Sequence, residues 1–595
     1  MKLRNITLLL SVLLAAGFFA GCTSKKKDSF GSKENVRTVV LVSIDTWRRD
    51  ANGFLGKLNP SPTPFIDSIA AKGLVVVDAM TPVPTTGPSH WSMITGTWPW
   101  KDGVRVNGEK PVPNHNPTLA QLLRPKGWRS AAFVSCRVLD HSLGFKKGFE
   151  YFDDKIKFDS ALESIEMPER KGDLTLDAVS KWLQTGIKKE EKLFLWVHLF
   201  DPHFPYNAPT GPFNNEKGIR GLYLGEVAFA DMQVRRLSEE LEKTGRPMAE
   251  SLWVIISDHG EALGAHGEDS HGHLLHGVTT RIPLIISGPG VPRGEKYERL
   301  SATVDVYPTI LKYTGAEVPA NDGSDLLNDP GSLDRAIPLE TLMGARGFGL
   351  AEVTGLRRRN WLWESSPIDH LWDLEKDPLE KNDLGLKMPG KVRELKKLRK
   401  EFSAPAAASS KIDPKIARDL QSLGYVTGNM APGRDSVRQF VKQGGKWHRQ
   451  AITLQMRGKY READVFYRKF LQRYPKAHSM WQKAGMLSVQ LGNFDEALRR
   501  FRKSIELNPE GVSAHLNMAN IFYFQKRYAE AGFEYRKVLE STPEDMVALY
   551  NMGLLLSQQG KLTEAAVYWE KYLKLYPDHK NAPYIRLRVQ NIKNK

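Results

Sequence analysis

Residues 86–90, TGPSH, pack a hydroxyl, a Gly-Pro pair and an imidazole into five positions. A helical pattern follows and ends at Gly96. Thr86 is therefore either a nucleophile at a helix N-terminus or a threonine cap. Elsewhere, apolar runs end in ligand-type residues. LVSID ends at Asp45, WVHLFDPH carries Asp201 and His203, and WVIISDHG carries Asp258 and His259. The next loop offers His266, His271, His273 and His276. Any one Asp could cap a turn, and any one His could be a satisfied polar group. Carboxylates and imidazoles drawn from several distant segments point instead to a metal site. Zinc or manganese suits such a set better than calcium, which prefers oxygen alone. Coordination would lower the pKa of a threonine hydroxyl and make it a nucleophile at neutral pH.

These residues need a frame. Short branched runs (TVVLVSID, RSAAFVS, KLFLWVHLF, SLWVIISD, IPLIISG) alternate with helical stretches such as TPFIDSIAAKG and GEVAFADMQVRRLSEELEKTG. That alternation predicts an α/β domain over residues 37–400, with a mostly parallel central sheet flanked by helices. Ligands in such sheets bind beyond the C-terminal strand ends, where the polar residues gather. At 595 residues the chain is too long for one core. Residues 401–443 read as a linker with one short helix.

From residue 444 to 577 the sequence repeats. Pro475, Pro509, Pro543 and Pro577 stand 34 residues apart, as do Ala463, Ala497, Ala531 and Ala565. Gly458, Gly492 and Gly560 share the step, with Lys526 in the slot between. A period of 34 with small residues at helix contacts is the tetratricopeptide pattern and predicts an all-α solenoid of four repeats. Residues 578–595 read as a basic capping helix. Residues 441–595 hold 27 Lys/Arg and 14 Asp/Glu, a net +13 out of the chain's +17. This is read as a solvated surface. No nucleic-acid motif is present, and nucleic acid is not an expected partner.

Residues 1–21 have a basic start and an apolar run too short to span a bilayer, and so read as a secretory signal. FAGC resembles a bacterial lipobox, which implies lipidation of Cys22, a tether over 22–36 and anchorage to a membrane. Thr23 in place of Asp leans to the outer membrane, facing the periplasm or the cell surface. With Cys22 lipidated, Cys136 is the remaining cysteine and no internal disulfide is available.

TVVLVSIDTWRRD, TPVPTTGPSHWSMITG, DGVRVNG, HLFDPHFPY, SDHGEALGAHGEDSHG and LWDLEKDPLEKNDL occur in that order. Together they resemble the alkaline phosphatase superfamily, and closely its sulfatase-like branch, over roughly residues 37–430. A small antiparallel C-terminal subdomain is implied. Sulfatases of this kind carry Cys or Ser followed by x-Pro-x-Arg, and the Cys or Ser becomes formylglycine. Thr86 would oxidise to a ketone, and His90 replaces the Arg. Thr-x-Pro-x-His resembles the nucleotide pyrophosphatase/phosphodiesterase branch, with Thr86 as nucleophile and metal ligand and Asn107 holding a phosphoryl oxygen. Thr85 is off that spacing by one. The resemblance implies one metal on Asp45, Thr86, Asp258 and His259, and a second on Asp201, His203 and His271. Two zinc ions are implied, with manganese or a one-metal site as alternatives, because DPH is shorter than that branch's Asp-x-x-x-His.

The expectation is an extracytoplasmic metal-dependent hydrolase or transferase of phosphoesters, working through a phospho-Thr86 intermediate. Its substrates would be lipid, glycan or nucleotide phosphoesters, with a protein partner on the repeats. One alternative is a sulfuric ester hydrolase without formylglycine. Another is a repeat scaffold with a vestigial catalytic domain. Trp47, Arg48 and Arg49 could reach an anionic substrate or serve as structure.

Overall fold

The computed structural model describes residues 36–113, 115–156, 170–206, 213, 218–402, 436–509, 511–577 and 579–594. The signal, Cys22, the tether and the short linker helix lie outside them.

Strands β1 (Thr38–Ile44), β2 (Leu74–Val76), β3 (Ala79–Met80), β4 (Trp128–Phe133), β5 (Tyr151–Asp153) and β6 (Lys192–Leu199) come first. Then follow β7 (Ser251–Ser257), β8 (Arg281–Ile282), β9 (Leu284–Ser287), β10 (Glu295–Tyr297) and β11 (Ser301–Ala302). The main sheet has the order β10-β2-β9-β7-β1-β6-β4-β5. Only β9 runs against its neighbours, so the sheet is mostly parallel. β1 is buried throughout, as expected of a Val-rich central strand covered on both faces. Val39 and Leu41 pack on one face with the Thr86–Thr95 and Val306–Thr314 helices. Val40, Val42 and Ile44 pack on the other with the helices Pro64–Ala70, Gly172–Thr185 and Ile219–Lys243. The period of two thus builds a three-layer domain from a single strand.

Register decides where the chemistry falls. Ile44 lies opposite Leu199 on one side and Ser257 on the other. Three strands therefore end level, and Asp45 and Asp258 leave the sheet side by side. Strands β12 (Ala336–Thr341), β13 (Val353–Arg358), β14 (Trp361–Ser365) and β15 (Asp369–Asp373) form a separate antiparallel sheet. The Pro389–Lys400 helix covers it through Val392 and Leu395.

Helical structure resumes at Val437, ahead of the expected start of the repeats. Helix pairs 446–456/460–473, 478–490/494–507, 512–524/528–541 and 546–558/562–575 follow, then Ala582–Lys593. Ala463, Ala497, Ala531 and Ala565 are fully buried, which lets paired helices approach closely. The repeats share a core with the α/β half, where Val437, Phe440 and Phe470 pack with Leu274, Leu275 and Phe348.

Between paired helices the chain turns through a left-handed residue. Gly458, Gly492 and Gly560 take φ of 72°, 72° and 77°, and Lys526 takes 61° in the same slot. A side chain is strained there. Lys526→Gly is expected to raise stability by about 0.5–1 kcal/mol in urea unfolding of the whole chain. A loss of stability would show that Lys526 contacts outweigh the backbone strain.

Candidate functional site

The Thr86–Thr95 helix answers the question of the cap. Thr85 occupies the cap position in extended conformation, yet its side chain caps nothing. Thr86 is the first helical residue. Its hydroxyl lies 3.3 Å from Asp45 Oδ2 and 3.4 Å from His259 Nε2. Gly87 fits closely beside it, because a Cβ there would stand 3.1 Å from Asn107 Oδ1. Asn107 Oδ1 accepts from the Gly87 amide at 2.7 Å, and its buried Nδ2 has no hydrogen-bond partner. That donor is free for an oxygen of a bound group beside Thr86.

Asp45, Asp258 and Glu261 are all fully buried. Burial raises all three carboxyls above the usual range, and each of Asp45 and Asp258 is raised further by a neighbouring acid. His259 Nδ1 lies 3.0 Å from the Gly260 carbonyl and donates to it, so Nε2 turns inward. There it meets Asp258 Oδ2 at 3.4 Å and Asp45 Oδ1 at 3.7 Å. Burial opposes charge on this imidazole, but Asp258 and Asp45 outweigh it and hold its pKa above the ordinary value. Asp45 Oδ1 and Asp258 Oδ2 have no hydrogen-bond partner. Two orphaned carboxylate oxygens, an inward imidazole nitrogen and a hydroxyl make a donor set that fits one divalent cation.

His90 belongs to the support of this set. Trp196 Nε1 donates to Ser43 Oγ at 3.0 Å, and Ser43 stands 2.9 Å from His90 Nε2. His90 Nδ1 stands 2.8 Å from the Thr86 carbonyl, which can only accept. The proton is therefore on Nδ1, and Ser43 donates to Nε2. Burial lowers His90 to about 3, so this imidazole is neutral and fixes the Thr86 backbone.

The second expected ligand set is brought together only in part. Asp201 Oδ2 accepts the Gly172 amide at 2.8 Å, at the start of the Gly172–Thr185 helix. His203 and His271 do meet, with ring centroids 5.2 Å apart, and His271 lies 4.2 Å from His259. Their carboxylate neighbour is Glu261, whose Oε2 lies 3.4 Å from His271 Nδ1 and accepts from Tyr206 at 3.4 Å. Burial lowers His203 to about 4 and His271 well below its usual value, so both are neutral. Glu261 was missed in the sequence. Its signal was an acid two residues beyond His259.

His198 was also missed, although an imidazole inside the apolar run of β6 was conspicuous. Ser135 N donates to its Nδ1, so its Nε2–H faces Asp45 Oδ2 at 3.4 Å. Cys136 adjoins both residues, but burial raises its thiol well above the ordinary range. Trp47, Arg48 and Arg49 are structural. Trp47 donates to the Ala51 carbonyl and Arg49 to the Val77 carbonyl. Arg48 pairs with Asp50 at 2.7 Å and donates to the Glu261 carbonyl. His276 is held by Glu380 and by Arg438 at 3.0 Å, away from Thr86.

Comparison with known proteins agrees with this architecture. Residues 37–316 match the sulfatase family. Residues 447–477, 482–545 and 547–579 match tetratricopeptide repeat families. An ulvan-active sulfatase of Formosa agariphila is 22% identical over 493 residues, covering 72% of this chain and 92% of that protein. The crystal structure of Ps i-CgsB with k-i-k-neocarrahexaose superposes with a TM-score of 0.53 at 20% identity, over 65% of this chain and 98% of that one. The phosphonate monoester hydrolase of Agrobacterium radiobacter gives 0.50 at 19% identity, over 62% and 97%.

Removing one of the like charges tests the cation set. Manganese or zinc is expected to stabilise the wild type by about 2.7 kcal/mol at a hundredfold excess over Kd, read as a rise in melting temperature. Asp258→Asn should lose that response. In chelator the variant should melt above the wild type, because an uncompensated buried carboxylate is gone. An equal response of both proteins to metal would sink the assignment.

Proposed function

We propose that this chain, a sulfatase-family domain joined to tetratricopeptide repeats, is a metal-dependent hydrolase of sulfate esters on glycans, with Thr86 as nucleophile. The observation that carries the reading is the Thr86 hydroxyl at a helix N-terminus, against Asp45 and His259, beside orphaned oxygens of Asp45 and Asp258. The family match and the relative named an ulvan-active sulfatase support sulfate and glycan.

Asp45, Asp258 and His259 would hold the cation, with the Thr86 oxygen beside it. A divalent cation there supplies a lowered hydroxyl pKa and charge on the ester oxygens. The Thr86 proton passes to Asp45 Oδ2, the acceptor it already faces. Thr86 Oγ forms a bond to sulfur as the ester S–O bond breaks, and the alcohol leaves with a proton. Water then attacks sulfur, releases sulfate and restores the hydroxyl. Asn107 Nδ2, left without a partner beside Thr86, would donate to an oxygen that gains charge. His203 and His271 wall the other side as neutral groups and add no repulsion toward an anion. Asp201 is occupied at its helix, so one cation is the reading in place of two zinc ions.

A phosphoester substrate is the second reading. It is favoured by the methyl group of Thr86, which forbids formylglycine, and by the sufficiency of a plain hydroxyl nucleophile for phosphoryl transfer. Lipid anchorage through Cys22 outside the cytoplasm and a protein partner on the repeats complete the proposal.

The deciding assay offers an aryl sulfate, an aryl phosphomonoester and an aryl phosphodiester, each with divalent metal or chelator. Turnover of the sulfate is expected to need metal and to fall at least about a thousandfold in Thr86→Ala, with Thr86→Ser recovering part of it. Sulfate turnover that survives Thr86→Ala would reject the nucleophile. Turnover of phosphoesters alone would select the second reading.

A further inference from the structure

The histidine loop, residues 260–277, carries His271 and departs from ordinary backbone geometry. Leu263 and His266 take φ of 52° and 55°. Neither is glycine, and such conformations persist only where the surroundings hold them. Holding contacts reach the loop from two sides. From the α/β half, Arg48 donates to the Glu261 and Ala262 carbonyls, and the small sheet's Thr341 hydroxyl donates to the Gly272 carbonyl. From the other side come residues 438–449, which open the repeats.

That segment touches the loop on both flanks of His271. Ahead of His271, Arg449 Nη1 lies 2.9 Å from Asp269 Oδ1. Lys442 packs against Gly267, where a Cβ would stand 3.0 Å from Lys442 Cγ. Behind His271, Arg438 Nη1 lies 3.0 Å from His276 Nε2. A guanidinium only donates, so Nε2 accepts and His276 Nδ1 donates to Glu380. Arg438 Nη2 donates to Glu364 Oε1 at 2.6 Å, and Glu364 Oε2 accepts the Leu275 amide at 2.9 Å. Burial opposes charge on Glu364, but Arg438 outweighs it and holds the carboxyl below its ordinary range. The guanidinium, the carboxylate and the loop amide therefore form one linked set. The segment is itself fixed, since Val437, Phe440 and Val441 share a buried core with Phe470 and Tyr474 of the first repeat.

We propose that Arg438 and Arg449 are positioning residues. From the repeat side they pin the histidine loop before and after His271, and so set where that ring stands beside His259, 4.2 Å away. The effect on turnover rests on the hydrolase reading above. The pinning of the loop does not. The opening segment of the repeats is then a working part of the site, and a displacement of that segment changes turnover.

Hydrogen exchange and steady-state kinetics on the whole chain test the clamp. The amides of His273, Leu275 and Gly277 donate to Glu268, Glu364 and Glu380. They are expected to exchange faster in Arg449→Gln and in Arg438→Lys, which keeps a charge for Glu364 but loses the fork that also reaches His276. Exchange as slow as in the wild type in both variants would overturn the clamp. For whichever ester the wild type turns over, Arg449→Gln and Asp269→Asn should each lower kcat about fivefold with KM unchanged, the upper worth of a partly exposed ion pair. The double variant should lose no more than either single one, because the two act through one contact. Additive losses, or a raised KM in Arg449→Gln alone, would make Arg449 a direct substrate contact and overturn its positioning role. If the wild type turns over no ester, the hydrolase reading fails, while hydrogen exchange still decides the clamp.

Discussion

Buried like charge organises the catalytic half. Asp45 and Asp258 leave adjacent strands at one level because Ile44 and Ser257 are paired in β1 and β7. Neither carboxylate can retreat to solvent, since both are fully buried. Such a pair is tolerable only if something positive or a proton lies between them. His259, held inward by its bond to the Gly260 carbonyl, and the Thr86 hydroxyl close the remaining sides. The need to neutralise this set makes the strand register a chemical feature as well as an architectural one.

The surroundings are built to keep the set from relaxing. The Thr86 carbonyl is tied through His90 and Ser43 to Trp196, so the Thr86 backbone is anchored to β1 and β6. His90 achieves this as a neutral group. A charged side chain at that place would add a cation within the reach of Asp258, 3.6 Å away, and would neutralise that acid. Arg48 braces the loop carbonyls of Glu261 and Ala262 from behind. Glu261 can then stand beside His271 without a backbone hydrogen bond of its own being lost.

The repeats are not an appendage. Phe440 and Val437 share a core with Leu274 and Leu275, the residues that close the histidine loop. Arg438 reaches across to Glu364 at 2.6 Å and to His276 at 3.0 Å, so the first helix after the linker grips both the loop and the small sheet. A common core couples the loop to the solenoid, because packed interiors transmit displacement and do not absorb it. Whatever the repeats bind is mechanically continuous with the side of the site that carries His271.

Periodic features were legible in the residues alone. The branched runs of β1, β6 and β7, the step of 34 and the ligand-type residues at strand ends each depend on neighbours a few positions away, where the backbone period is fixed. Asp45, Asp201, His203, Asp258 and His259 could therefore be picked out with Thr86 as candidates, while it was the family resemblance that grouped Asp45, Thr86, Asp258 and His259 as one set. Local spacing could not say that Asp201 would be spent on the Gly172 amide, that Glu261 would take its place beside His271, or that Thr85 and not Thr86 would occupy the cap. Those outcomes belong to the tertiary structure alone, because they are settled by strand register and by which buried polar atoms find partners across the fold.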